Sequence, residues 1–121
     1  MGTRIDGPGL AKLEALDTAV TMWQRLHAIV ERMAGAQRVG QNLAPFRQQI
    51  QRAAAPLASL LKPQFESISD LVTALVLVST RGGSDGARVR SLRESTAQIK
   101  VQIDAAAARV RKVHTVEETA E

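Results

Sequence analysis

The sequence contains no cysteine and no tyrosine. Without cysteine, disulfides and thiolate metal sites are excluded, and nothing in the composition reports a redox compartment. Aromatic residues are confined to Trp23, Phe46 and Phe65, too few to stack successive bases of a single-stranded nucleic acid. The uncharged run "LVTALVLVST" (Leu71 to Thr80) falls well short of the roughly 18 apolar residues a membrane span requires. The opening "MGTRIDGPGLAKLEALDTAV" lacks the unbroken apolar stretch of a secretory signal, so a cytoplasmic protein is expected. Strand signals are scarce too, since no segment shows period-two alternation bounded by a hairpin turn.

Catalytic and metal-binding patterns are missing as well. A ferritin-like di-iron site needs Glu-x-x-His on two helices, but Gln24 and Arg111 stand three residues before His27 and His114. "RGGSDG" (Arg81 to Gly86) has no P-loop lysine and no preceding strand. No nucleophile, base and orienting group can be assembled, so the chain is not expected to be an enzyme.

What the chain does have is helix-forming residues in helical spacing. Its 121 residues suffice for one core and a single domain spanning residues 1–121. Alanine is abundant, with a run from Ala105 to Ala108, and favours helix. Leu13, Leu16, Val20, Trp23, His27 and Val30 follow one another in steps of three and four, a heptad stripe. Val89, Leu92, Thr96, Ile99, Ile103, Ala106, Val110 and Val113 keep that rhythm over the longest stretch. Between them lie Leu43, Phe46, Ile50, Ala53, Leu57 and Leu60, then Phe65, Ile68, Val72, Leu75 and Ser79. These stripes predict an all-α, antiparallel up-down four-helix bundle, with helices over residues 10–33, 43–61, 64–80 and 86–114.

The breaks support the same division. "DGPGL" (Asp6 to Leu10) places Pro8 where a first helical turn accepts it, and Asn42 with Pro45 reads as the start of the second helix. "RGGSDG" supplies glycines for a C-cap and Ser84 or Asp85 for an N-cap. The junction at "LLKPQF" is less marked. Ile50, Ala54, Leu57, Leu61, Phe65, Ile68 and Val72 form a stripe running straight through Pro63, which raises the alternative of a three-helix bundle with a proline-kinked middle helix. Length favours four. An unbroken Leu43 to Thr80 would extend about 57 Å, against roughly 36 Å for Leu10 to Met33, at 1.5 Å per residue. The acidic "VEETAE" at the C-terminus, within residues 115–121, is expected to be a frayed tail.

The third helix is apolar around more than half its circumference. Such a helix is either the most buried of a bundle or shared with a second subunit. His27 falls on the apolar stripe beside Trp23, and the pair is a candidate ligand site, as in a haem-binding bundle. The ordinary alternatives are core packing for Trp23 and a hydrogen-bonded or edge histidine for His27. The bundle architecture is similar to that of histidine-phosphotransfer domains. In that family a lysine and then a glycine closely follow the histidine, whereas "HAIVERMAG" has Ile29 and Val30 nearest, so the resemblance stops at the fold.

Charge is uneven. Sixteen Lys and Arg against twelve Asp and Glu leave a formal +4. Basic residues crowd the last helix, with Arg88, Arg90, Arg93, Arg109, Arg111 and Lys112 as candidate anion-binding groups for nucleic acid phosphates. They flank the apolar stripe on both sides, a placement that also suits arginine stems covering core edges. Three functions follow in order. The first is a non-catalytic interaction or assembly module needing no cofactor, its partner a second copy or another helical protein. The second is a bundle binding haem or another apolar ligand at Trp23 and His27, and the third a basic accessory to nucleic acid.

Overall fold

The computed structural model describes residues 2–118. It contains four helices, α1 (Gly7–Arg38), α2 (Ala44–Leu61), α3 (Glu66–Thr80) and α4 (Asp85–His114). Two short strands, β1 (Gly2–Ile5) and β2 (Thr115–Glu118), flank them. Each helix packs on its neighbours in a ring, α1 on α2 and α4, and α3 on α2 and α4. Bonds between the helices fix their directions. His114, at the end of α4, meets Asp6 just before α1. Arg32 of α1 reaches Gln49 near the start of α2, and Ser69 of α3 donates to the Ala58 carbonyl near the end of α2. The result is the antiparallel four-helix bundle that the heptads predict.

The helix ends have local causes. The Asp6 side chain accepts from the Gly9 amide at 2.8 Å, so α1 starts three residues earlier than its apolar stripe suggests. At its far end α1 runs through Gly35, because Ala34 and Ala36 are buried on either side; it stops before Gly40, whose φ of 72° suits glycine. The N-cap of α2 is Leu43 and carries no side-chain cap; Asn42, expected in that role, stands one residue earlier and accepts from the Ala44 amide at 3.1 Å. Ser84 caps α4 through the Ala87 amide, and Gly83 makes the preceding turn at φ 116°.

The α2–α3 junction resolves the three-helix alternative. α2 passes Pro56 without ending but stops at Leu61. Pro63, in the turn after it, has no amide hydrogen to continue the ladder. The Phe65 amide bonds back to the Leu61 carbonyl at 2.7 Å, closing that turn, and a separate helix starts at Glu66. The stripe drawn through Pro63 nevertheless identifies the buried residues, since Ile50, Ala54, Leu57, Leu61, Ile68 and Val72 all lie in the core. A hydrophobic seam can therefore cross a helix break when both helices line the same core.

On α4 the predicted seam is buried from Val89 to Val110, while Val113 emerges 74% exposed. On α1 the most buried line is Leu16, Ala19, Leu26, Val30 and Met33, which leaves Val20, Trp23 and His27 at its edge. Among the described residues no helix is long and apolar enough to cross a membrane.

The expected frayed tail is not observed over Thr115–Glu118. That segment pairs antiparallel with Gly2–Ile5, Ile5 opposite Thr115 and Arg4 opposite Val116. The bundle brings the start of α1 and the end of α4 together, so the residues flanking them satisfy each other's backbone groups. Residues 119–121 of the predicted tail lie outside the described residues.

Candidate functional site

Trp23 and His27, one turn apart on α1, stack with ring centroids 4.8 Å apart and planes 10° from parallel. The indole nitrogen donates to the Thr96 carbonyl at 2.8 Å, and the Lys100 ammonium lies 5.9 Å from the ring centroid. Trp23 thus ties α1 to the middle of α4. The Thr96 hydroxyl serves its own helix, donating to the Leu92 and Arg93 carbonyls. The Nδ1 of His27 is buried with no hydrogen-bond partner. An imidazole that ligates a metal normally donates its second ring N–H to a carboxylate or carbonyl, and no such support exists here. Glu31, one turn on, is engaged with Arg93 instead. Among the described residues no group of three or more His, Asp or Glu is placed to hold a metal ion.

The six candidate anion-binding residues do not form one patch. Arg88 is 8% exposed and its guanidinium is committed within the chain. Nε and Nη2 donate to the Arg81 carbonyl at 3.0 and 2.6 Å, and Nη1 meets Asp85 at 2.7 Å. This fork closes the α3–α4 reversal, so Arg88 is a structural residue and not a free phosphate ligand. Arg93 makes a two-pronged contact with Glu31, both bonds at 3.1 Å. Arg90, Arg109, Arg111 and Lys112 are exposed. Arg90 lies about 28 Å along α4 from Arg109, and Arg111 is about 200° around the helix from Arg109.

A cluster that the linear sequence did not reveal joins the two ends of the chain. His114 Nδ1 lies 3.0 and 3.2 Å from the Asp6 carboxylate oxygens, and its Nε2 lies 3.3 Å from the Lys12 ammonium. The Asp6 amide donates to the His114 carbonyl at 3.0 Å. The Gly9 amide holds the Asp6 carboxyl below its usual range, and the neighbouring His114 and Lys12 act in the same direction against partial desolvation. Both ring nitrogens of His114 are thereby occupied. The neighbouring Thr115 hydroxyl donates to the Arg111 carbonyl, so it is not poised as a nucleophile on this histidine. Beside the cluster is an open cleft of about 220 Å³ lined by Lys12, Arg109, Val110, Val113 and His114. The groups are separated by 108 positions in the chain, and only the antiparallel closure of α1 on α4 brings them together.

α3 presents one large apolar side chain, Leu77, to solvent. Ile68, Val72 and Leu75 are buried, while Leu71, Val76 and Val78 are partly buried and pack against the same core. Leu77 is 57% exposed. The chain alone therefore does not enclose this helix. On one side a groove of about 370 Å³ runs between α2 and α3, lined by Ala54, Ala55, Ala58, Val72, Val76 and Leu77 among others. On the other side a second groove, with Leu71 and Ala74 on α3, separates it from Glu94, Ser95 and Gln98 of α4. The outward line of α3 is a ridge between two shallow channels.

No family model, curated protein or solved structure matches the chain.

Proposed function

We propose that the chain is a non-catalytic helical assembly module that associates with itself through the outward face of α3. The observation that carries this reading is the 57% exposure of Leu77, flanked by partly buried Leu71, Val76 and Val78 on the same short helix. Leu77 borders a groove whose lining is largely apolar, and an exposed apolar side chain at such a groove is a feature of interaction surfaces. The groove wall on α2 is formed by Gln51 and three alanines, Ala54, Ala55 and Ala58, whose small side chains let another helix approach closely.

The alternative readings draw less support from the geometry. His27 lacks an acceptor for its second nitrogen, and one face of its ring is covered by Trp23. The basic residues of α4 are divided between internal pairs, Arg90 near one end, and Arg109, Arg111 and Lys112 near the other.

Light scattering behind size exclusion, from micromolar to millimolar protein, tests the proposal. A dimer or larger species is expected, and Leu77→Asp should convert it to monomer with an unchanged helical circular dichroism spectrum. A chain that stays monomeric throughout this range would refute self-association.

A further inference from the structure

The outward ridge of α3 carries a specific charge order. Asp70, Ala74, Leu77 and Arg81 are all exposed and follow one another in steps of four, three and four. At 3.6 residues per turn they fall within about 60° of arc. The ridge is thus negative at its N-terminal end, carries Ala74 and Leu77 with Thr73 beside them in the middle, and is positive at the C-cap, since Arg81 follows the last helical residue.

This order is matched about one point. Asp70 and Arg81 lie equally far, in opposite directions, from the level midway between Leu75 and Val76. Ala74 and Leu77 are also equidistant from that level. A two-fold axis placed there, across the helix, sets each Asp70 against the Arg81 of a second copy and each Leu77 against the small Ala74 of that copy. We infer that the partner of α3 is α3 of a second copy of this chain, packed antiparallel in this register. The inference rests on the self-association proposed above and adds orientation and residue pairing.

Three physical terms favour this orientation. It forms two Asp70–Arg81 pairs per dimer, because an isologous contact repeats each interaction. Parallel packing would instead juxtapose Asp70 with Asp70 and Arg81 with Arg81, a like-charge arrangement that disfavours it. Antiparallel helices also place opposite ends of their dipoles side by side. In the centre, Leu77 of one copy fills the space above Ala74 of the other, between the two channels that border the ridge.

The natural absence of cysteine makes disulfide mapping a direct test. Leu77→Cys should cross-link to itself, since its two copies lie close to the axis, offset by only about 4.5 Å along the helix. Asp70→Cys should not, because in this register its copies are about 16 Å apart along the helix. A mixture of Asp70→Cys and Arg81→Cys should give the mixed dimer preferentially. Independently, Asp70→Arg or Arg81→Asp alone should weaken dimerisation about tenfold, and the double exchange should restore it. A dimer in which Asp70→Cys cross-links to itself, or in which the double exchange restores nothing, overturns this register while leaving self-association intact. A strict monomer removes both.

Discussion

Replacing glycine with alanine inside a helix ordinarily stabilises it, by up to about 1 kcal/mol. α1 offers two such sites with opposite surroundings. At Gly35 the nearest atom an added methyl would meet is the flexible end of Arg38, at 3.7 Å. At Gly9 it would lie 2.5 Å from the His114 Cβ and 2.6 Å from the Ile5 Cγ2. Carbon atoms rest about 3.5–4.0 Å apart, so the overlap is about 1 Å on two sides. The His114 Cβ is attached directly to the α4 backbone and cannot rotate away. Relief requires moving the end of α4 from the start of α1. That motion stretches the Asp6–His114 contacts and the backbone bond beside them, each about 3.0 Å as folded. Overpacking of this kind costs about 1–3 kcal/mol, and the first-turn position of Gly9 reduces the compensating gain. Gly9→Ala should therefore destabilise by about 1–2 kcal/mol, whereas Gly35→Ala should stabilise by up to about 1 kcal/mol. Urea unfolding followed by Trp23 fluorescence measures both against the wild type. Equal stabilisation by the two substitutions would show that the ends of α1 and α4 do not approach as described.

Two further perturbations probe the ends of α4. Arg88→Ala should cost about 2–4 kcal/mol by leaving the Arg81 carbonyl and Asp85 without their donor; Arg88→Lys should recover little, because an ammonium cannot reproduce the fork, and urea denaturation of both variants decides this. The Asp6 carboxyl is lowered from 3.8, so the carboxylate stabilises the fold above the unfolded value and that contribution disappears as pH falls through the folded one. As pH falls below 3.8 the amide of Gly9 should lose protection against exchange relative to its intrinsic rate, and Asp6→Asn should remove this acid dependence; a Gly9 amide equally protected at pH 2 and pH 6 would contradict the reading.

The parts of the fold that were legible from the sequence are those whose signal repeats locally. The α4 seam from Val89 to Val110 carries its period over many turns, so its burial follows from spacing alone. α1 shows the limit of that rule. The line through Leu13, Val20, Trp23 and His27 identifies the helix but not the centre of its buried face, which is displaced toward Ala19, Leu26 and Met33. Alanine and methionine sit there because α2 and α4 crowd α1 from two sides, and spacing within one helix does not encode the position of its neighbours. Asp6, Lys12 and His114 have no local signature, and neither do the four-residue strands beside them. Short strands of this length are not independently stable, and they pair here because the bundle delivers their ends to one place.

α3 completes the argument from the opposite direction. Its hydrophobicity was plain in the sequence, but hydrophobicity around a whole helix does not say which residues the chain itself will cover. The neighbours decide that. α2 and α4 enclose Ile68, Val72 and Leu75, while Ala55 and Ala58 on one side and Ser95 on the other, set among Gln51, Glu94 and Gln98, are too small to reach over the ridge. With larger side chains at those positions Leu77 would be internal, and the charges of Asp70 and Arg81 would serve only the dipole of their own helix. The small residues on α2 and α4 leave the ridge standing clear, at the height where a second helix of the same charge order can rest.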